Sequence, residues 1–377
     1  MRRLLALTSA VVLVDTMLYA ALAPLLPRFA DEFGLSKGGA GLLVAAYATG
    51  VLAGALPAGV ATARYGPRRA VLVGLVIVGA ASVVFGFADD AWTLGIARLI
   101  QGLGSSLSWS GALAWLVAGT PRERRGEMLG TALGAAIFGA LLGPAVGASA
   151  DVAGPEFAFI GIAIACALLF AWALRTAGAP PQHLEASLVR QAFGERRFTI
   201  GLYLMTLPAL LFGVLAVLVP LRLGDLGWGA VAIGALFIAG ASIEVVISPV
   251  LGRASDRRGR LPLVRAALAG SIFVSVALAW SGPAVVLVVL VLAASLAYGA
   301  FFAPAMALIS EGAERVGLAQ GLAFGLMNAC WAIGNAVGPS AGGFLAEHAS
   351  DALPFLLAAA ICLVTLVAAR PRPGLVA

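Results

Sequence analysis

The sequence has little charge, since Asp, Glu, Lys and Arg make up only 11% of its 377 residues. A soluble domain carries roughly 25% charged residues. Here 61% of the chain is hydrophobic and the mean hydropathy is +1.02. The apolar excess runs along the whole chain, which excludes a soluble domain on a single anchor. Lipid must therefore be the solvent for most of the folded surface.

Cysteine and histidine are also scarce, with three Cys and two His residues. The cysteines fall in apolar runs and the histidines lie far apart, so we expect no disulfide framework, no metal site and no cofactor. The chain has no Walker loop and no nucleophile elbow, which argues against an enzyme. The net charge of +6 is expected to set membrane topology rather than to bind nucleic acid.

Twelve apolar runs of about 20 residues are each long enough to cross a bilayer once. The predicted spans are 4–26, 38–61, 69–88, 92–118, 126–149, 155–174, 198–221, 229–251, 262–281, 283–309, 317–346 and 351–370. The polar segment 175–197 divides six spans from six. The sequence therefore predicts an all-α polytopic membrane protein with an N-terminal six-helix bundle (1–174), a linker (175–197) and a C-terminal six-helix bundle (198–377).

The basic residues indicate the orientation of these spans. With the N-terminus inside, only Arg28, Lys37 and Arg222 of the 24 Lys and Arg residues fall in outer loops, and Arg98 lies within a span. This is the positive-inside pattern, and it predicts a cell-membrane protein with both termini and the linker in the cytoplasm. The first apolar run contains Asp15, so we expect a retained span rather than a cleaved signal peptide.

The two halves of the chain repeat each other. Gly143-Pro144 in the fifth span returns 195 residues later as Gly338-Pro339. The same offset relates the flanking glycines Gly139 and Gly147 to Gly334 and Gly342. Glycines four residues apart let helix backbones approach closely, so these positions are predicted helix-packing residues. Parallel repeats of this kind are one way in which secondary transporters are built.

Four motifs carry a family resemblance. The loop Gly59-Val-Ala-Thr-Ala-Arg64-Tyr-Gly66 recurs as Gly252-Arg-Ala-Ser-Asp256-Arg257-Arg-Gly259-Arg260, although Ala63 replaces the acid of the first copy. The other three motifs are Arg98-Leu-Ile-Gln101-Gly, Gly139-Ala-Leu-Leu-Gly143-Pro144 and the acid Asp15 followed by Pro24 and Pro27. With these motifs the chain resembles major facilitator superfamily transporters over nearly its full length, and most of all the twelve-span drug:proton antiporters, whose branches include vesicular amine transporters.

The resemblance implies the major facilitator fold, proton-coupled export and a gating role for the repeated loop. The predicted gating residues are Gly59, Arg64, Gly66, Gly252, Asp256, Arg257, Gly259 and Arg260. A loop of this kind can clamp helix ends through charge pairs and helix dipoles. For the first copy, the alternative is a basic loop that only sets topology.

Charged residues that the repeat does not duplicate are the candidates for proton coupling. Asp15, Arg98 and Glu244 are matched by Leu210, Ala293 and Thr49 in the other half, and an ionisable group within a span is a functional candidate. We expect Arg98 to lie opposite Asp15 as its counter-charge. The alternatives are a static Asp15–Arg98 ion pair, an Arg98 that extends to the interface, and a neutral Glu244 in a helix-helix hydrogen bond.

Polar and aromatic residues on shared helix faces predict a substrate cavity. The candidates are Tyr19, Gln101, Ser105, Ser108, Asn328, Trp331 and Asn335. Vesicular amine transporters carry an acid where Asn328 aligns, which argues against monoamine transport. The expected function is proton-coupled efflux of small lipophilic or cationic molecules by alternating access. The alternatives are an exporter of a sugar or other metabolite and a transporter-like sensor without flux; the oligomeric state stays open.

Overall fold

The protein is almost entirely helical in a computed structural model that describes residues 2–121, 124–180, 186–280 and 282–369, apart from the side chains at 126, 127, 186, 248, 249 and 252–258. The helices of the N-terminal half are α1 (Arg2–Ala20), α2 (Leu26–Glu32), α3 (Lys37–Tyr65), α4 (Pro67–Gly86), α5 (Ala91–Ala118), α6 (Arg125–Ala153) and α7 (Pro155–Leu174). The remaining helices are α8 (Ala186–Gly194), α9 (Arg196–Asp225), α10 (Ala230–Arg258), α11 (Arg260–Ala279), α12 (Ala284–Gly299), α13 (Phe302–Arg315), α14 (Gln320–His348) and α15 (Ala352–Ala368).

Length and composition identify the membrane-spanning helices. Within the described residues, nine segments are long and apolar enough to cross a membrane, with α1 and α2 forming one segment and α12 and α13 another. Helix α15 is apolar but shorter, with 17 residues. Helices α5 and α14, with 28 and 29 residues, are long enough to cross a membrane, but they are not among the nine because they carry polar side chains. Together these segments form the twelve-span arrangement that the sequence predicts.

The helices pack as two related six-helix bundles. In the first half α3 packs on α5, and α1 packs on α6; in the second half α9 packs on both α13 and α14. The halves meet where α3 contacts α14 and α6 contacts α10. The sequence repeat relates α3 to α10 and α6 to α14, so it converts each of these two contacts into the other. This confirms the pseudo-symmetry of the two halves. The two predicted boundaries between the bundles and the linker stay a prediction. The predicted linker contains the short helix α8.

Two spans are broken near the middle of the bundle. Helix α1 ends at Ala20, a short 3-10 turn covers Ala23–Leu25, and α2 begins at Leu26. Pro24 and Pro27 have no N–H to donate, so the regular helical hydrogen-bond ladder cannot continue through them. The sequence predicts one unbroken span here, and another where α12 ends at Gly299 and α13 starts at Phe302. Both breaks leave irregular backbone beside the central cavity.

Helix α5, which carries much of the polar interior, begins at a strong N-cap. The Asp90 carboxylate accepts hydrogen bonds from the N–H groups of Trp92 at 2.8 Å and Thr93 at 2.9 Å, and from the Thr93 hydroxyl at 2.5 Å. These bonds, chiefly from the Thr93 hydroxyl, hold the pKa of Asp90 below its usual value. The cap thus fixes where α5 starts.

Candidate functional site

A cavity of about 680 Å³ lies between the two halves. Its N-terminal wall includes Asp15, Tyr19, Tyr47, Arg98, Ser105, Trp109, Gly130 and Ile137, and its C-terminal wall includes Met205, Phe212, Phe237, Glu244, Phe302, Met306, Met327, Asn328, Trp331 and Asn335. Its charged lining residues are Asp15, Arg98 and Glu244. Those are the three groups that the repeat singles out as unmatched.

Asp15 is buried in the N-terminal wall, with 6% of its surface exposed. One carboxylate oxygen, Oδ2, accepts a hydrogen bond of 2.7 Å from the Ser105 hydroxyl. The other oxygen, Oδ1, has no hydrogen-bond partner among the described residues. A buried carboxylate with one free oxygen is a poor structural element, because an unsatisfied charge in a low-dielectric interior is costly. It is well suited to take up a proton.

Arg98 is held by the break in the first span. Its guanidinium donates from Nη1 to Leu18 O at 3.1 Å and from Nη2 to Tyr19 O at 3.0 Å, and thereby caps the last turn of α1. A cation at a helix C-terminus meets the negative end of the helix dipole. The same group lies over the ring of Tyr47, with its carbon 4.9 Å from the ring centroid, an attractive arrangement.

The expected direct pair between Asp15 and Arg98 is not made in this structure. Asp15 and Arg98 border the same polar region, but Arg98 gives its hydrogen bonds to α1 carbonyls and, at 3.2 Å, to Gln101 Oε1.

Two residues predicted to line the cavity, Gln101 and Ser108, lie behind its wall instead. Gln101 donates from Nε2 to the Ser82 hydroxyl, and Ser108 donates to Ser105 O. The reason is that α4 and α1 both pack on this face of α5 and cover its polar row.

Aromatic contacts close the cavity across the two halves. Tyr19 donates from its hydroxyl to Asn335 Oδ1 at 2.5 Å, and its ring contacts Trp331 with centroids 4.9 Å apart. The Tyr47 ring lies on the other side of Tyr19, at 5.4 Å. Asn328 lines the cavity without an interhalf bond among the described contacts. Tyr19 therefore links the two bundles. It lies one helical turn after Asp15, and its backbone carbonyl accepts a hydrogen bond from Arg98.

One end of the molecule, which we call the Lys37 end, is closed. Lys37 Nζ lies 2.5 Å from Asp351 Oδ1 of the other half, and Glu347 accepts a hydrogen bond of 2.8 Å from the Gly38 N–H. Next to them α3 and α14 approach with their backbones: a Cβ added at Gly41 would lie 3.3 Å from Gly343 Cα. The absence of side chains at these glycines allows this close contact.

The opposite end, called the Arg68 end, is more open between α6 and α10. A Cβ added at Gly130 or Gly134 would find no heavy atom within 4 Å. Both glycines line the cavity, as do Phe237, Ala241 and Glu244 of the facing helix. Helices α5 and α14 still touch there, since a Cβ at Gly321 would lie 3.3 Å from Val117. The cavity therefore faces the Arg68 end.

Charge reversal tests whether the Lys37 end is a gate. We expect Lys37→Asp to lengthen the distance between spin labels placed at Trp92 and Leu226, two exposed positions at that end of opposite halves. The pair is half-exposed, so its loss destabilises the closed Lys37 end relative to an open one by only about 1 kcal/mol or less. Repulsion between the introduced carboxylate and Asp351 enlarges the effect. Pulsed electron paramagnetic resonance measures the distance.

The control for this gate uses an ion pair at the same end but within one half. Arg28 and Glu32 are 3.5 Å apart on α2, so Glu32→Gln should leave the distance between labels unchanged. Adding Asp351→Lys to Lys37→Asp should restore the wild-type distance. A charge-reversed protein with the wild-type distance distribution would show that this pair does not hold the halves together.

The predicted gating loops lie at the Arg68 end, and their described parts differ. Gly66 and Gly259 each end a long helix with positive φ, +89° and +82°, a backbone that favours glycine. Arg64 is exposed and lies over the Tyr65 ring at 5.5 Å, while a Cβ at Gly59 would meet nothing within 4 Å. Arg260 forms an ion pair with Glu311 of α13. The side chains at Gly252, Asp256 and Arg257 lie outside the described residues.

The repeated glycines lie at helix contacts within each half. A Cβ at Gly143 would lie 2.7 Å from Met17 O of α1, and one at Gly338 would collide with Leu210 O of α9. The flanking positions behave alike: Gly139 faces Leu13 of α1 and Gly147 faces Ala21 just after it, whereas Gly334 and Gly342 face Ala209 and Val214 of α9. Pro144 and Pro339 sit within these helices, where Pro144 O approaches Gly234 and Pro339 packs on Gly213.

Several cavity and gate residues are absent from the sequence predictions. Trp109 lines the cavity and its indole Nε1 has no acceptor among the described residues. Phe212 and Phe302 stack in parallel with centroids 6.3 Å apart. The sequence offers a signal for Trp109, which follows Arg98 and Ser105 on the same helix face. Phe302 gives no such signal, because its position depends on the break before α13.

The comparisons with known proteins agree with this architecture. A family model described as the Major Facilitator Superfamily matches residues 8–324. A crystal structure of a D-xylose-proton symporter superposes with a TM-score of 0.78 at 17% identity, covering 97% of this chain and 96% of that one. A partially occluded inward-open form of the xylose transporter XylE from E. coli gives a TM-score of 0.73 at 16% identity, with 97% of both chains covered. At this identity the likeness shows the fold alone.

Curated relatives include several resistance proteins. A chloramphenicol resistance protein of Streptomyces lividans is 28% identical and covers 63% of this chain and 62% of its own length. A class C tetracycline resistance protein of Escherichia coli is 35% identical over 34% of this chain and 31% of its own. An uncharacterised MFS-type transporter of Enterobacter sp. (strain 638) is 25% identical and covers 96% and 94%.

Proposed function

Since the chain belongs to the Major Facilitator Superfamily, a family of multi-pass membrane transporters, we propose that it exports small lipophilic or cationic molecules in exchange for protons. The observation that carries the proposal is the Asp15 carboxylate, which is buried on the cavity wall with one oxygen bound by Ser105 and the other free. Such a group can bind a proton when the cavity faces one side and release it when the cavity faces the other.

The orientation adds a direction to this proposal. The positive-inside bias places the Arg68 end in the cytoplasm and the Lys37 end outside the cell membrane. The cavity would then face the cytoplasm in this structure, ready to take up cargo, with the outer end closed by Lys37–Asp351 and Glu347–Gly38. The drug-resistance relatives support export, while the sugar symporters support only the fold.

Arg98 explains how the proton affinity of Asp15 can change during the cycle. In this structure the guanidinium is occupied by the carbonyls of Leu18 and Tyr19, so it does not pair with Asp15. A small rotation of α1 against α5 would exchange those carbonyls for the carboxylate and favour its ionised form.

Transport in proteoliposomes tests the proposed function. With an acid lumen, purified protein should drive uptake of tetraphenylphosphonium, tetracycline or chloramphenicol into vesicles of the matching orientation and release lumenal protons, reported by an entrapped pH dye. Collapse of the pH gradient with a protonophore should stop accumulation. If D-xylose moves instead and the drug probes do not, the protein is a sugar transporter; if none moves although binding is measurable, a sensor role is favoured.

A further inference from the structure

We propose that Glu244 is the residue that holds the positive charge of cationic cargo, separate from the proton site at Asp15. The inference deepens the proposed function and rests on it for the direction of transport, but binding itself can be tested alone. Glu244 lies on α10 and lines the C-terminal wall of the cavity. Its repeat counterpart, Thr49, hydrogen-bonds within its own helix to Ala45 O at 2.9 Å.

Glu244 is free to accept a ligand. Among the described residues, no side chain forms an ion pair or hydrogen bond with its carboxylate, although the residue is only partly exposed. It lies against the end of α12, where a Cβ at Gly299 would be 2.9 Å from Glu244 Cγ. The missing side chain at Gly299 therefore makes the slot in which this glutamate lies.

Among the described residues, Arg98 is the one guanidinium that lines the cavity, and it does not neutralise Glu244. Arg98 belongs to the opposite wall, is 1% exposed, and gives its hydrogen bonds to Leu18, Tyr19 and Gln101. The described cavity lining thus contains two carboxylates and one cation, and that cation is buried and hydrogen-bonded within its own half. This balance favours a cargo with one positive charge.

Asp15 is less accessible to a bulky cation. It is 6% exposed, and Ser105 holds one of its oxygens from within the N-terminal half. A proton can reach such a group, but an organic ammonium or phosphonium ion cannot approach it without displacing its neighbours. Glu244, by contrast, is partly exposed and lines the same cavity as Gly130 and Gly134, next to which open space remains.

The surroundings of Glu244 fit the apolar body of such a cargo. Phe237 lies two helical turns away on α10, and the parallel pair Phe212 and Phe302 lines the same wall. Met205 and Met306 add adaptable apolar surface. Aromatic faces attract cations, so the wall binds both parts of a lipophilic organic cation. A neutral cargo would use the aromatic surface but gain little from the carboxylate.

Direct binding in detergent tests this division of roles. Quenching of tryptophan fluorescence reports occupancy, since Trp109 and Trp331 line the cavity. Glu244→Gln should weaken binding of tetraphenylphosphonium by about tenfold or more, the size of one lost charge-assisted contact, with chloramphenicol binding changed less than about twofold. Glu244→Asp, which keeps the charge, should recover part of the loss.

Gly299→Ala provides a second variant, which keeps the Glu244 carboxylate in the chain but changes its position. Its methyl group displaces Glu244, so cation binding should weaken while neutral binding persists; Gly270→Ala is the control, because its Cβ would make only an ordinary contact of 3.4 Å. Equal weakening of both probes by Glu244→Gln, or no weakening of the cation, would overturn the assignment. A wild-type protein that binds the cation selectively but does not transport it would refute the proposed function alone.

Discussion

Asp15→Asn should reduce proton-driven accumulation of cargo to the level of protein-free vesicles. The amide has nearly the same shape and can still accept the hydrogen bond from Ser105, which is 2.7 Å from the carboxylate in the wild type. It cannot bind and release a proton, so the link to the pH gradient is lost. Exchange of labelled for unlabelled cargo without a gradient should survive, because it needs the conformational cycle but no net proton transfer. The measurement is uptake with and without a pH gradient in the same vesicles.

The matched control for Asp15 is another aspartate that does not line the cavity. Asp90→Asn keeps a good N-cap residue at the start of α5, so its gradient-driven uptake should equal that of the wild type. Arg98→Gln should impair both uptake and exchange, because it removes the donors that cap Leu18 and Tyr19. Unchanged pH-driven accumulation by Asp15→Asn would make Asp15 a structural residue and leave Glu244 as the proton-coupling candidate.

Gly338→Leu should destabilise the protein by about 3 kcal/mol or more, or prevent its accumulation in the membrane. The added side chain would meet the backbone of α9 at Leu210, which cannot rotate away as a side chain would. Gly143→Leu should act in the same way against Met17 of α1, since both positions follow the same repeat. The measurement is the apparent melting temperature of detergent-solubilised protein, with the folded yield as a second readout.

Gly325→Leu is the control on the same helix as Gly338. A Cβ at Gly325 would meet no heavy atom within 4 Å, so leucine there changes helix propensity without overpacking. Replacing glycine by a good helix former within a helix gains up to about 1 kcal/mol, and the melting temperature should stay equal or rise. Equal losses for Gly325→Leu and Gly338→Leu would show that glycine itself, rather than close packing, explains the effect.

The sequence predicts the helices well because hydropathy and the repeat act over long segments. Spans such as 92–118 and 155–174 agree with α5 and α7 to within one residue at each end. It fails at the breaks: Pro24 and Pro27 are visible in the first span, but their effect depends on what replaces the lost hydrogen bonds. The α12–α13 break at Phe301 follows the same rule, since Pro304 has no N–H to donate to Ala300 O, four residues earlier. Helix α8 is missed since polar residues dominate its segment.

The candidate site residues divide in the same way. Asp15, Arg98 and Glu244 are identified from the sequence because charge within a span is rare and the repeat shows which half carries it. Their contacts are not predictable at this level, since Arg98 chooses backbone carbonyls that only a broken helix exposes. Gln101 and Ser108 share its helix face but are covered by α4 and α1, so a polar face by itself does not identify a cavity wall.

The glycine contact at the Lys37 end has a consequence for the speed of the transport cycle. Helices joined by interlocking side chains must withdraw each side chain before they separate, which raises the activation barrier. At Gly41 and Gly343 the two helices meet through backbone atoms alone. They can therefore separate without such steps once the Lys37–Asp351 ion pair and the Gly38–Glu347 hydrogen bond break. The halves thus pack closely in the closed state and still separate quickly, so the α3–α14 glycine contact is expected to favour a high turnover number.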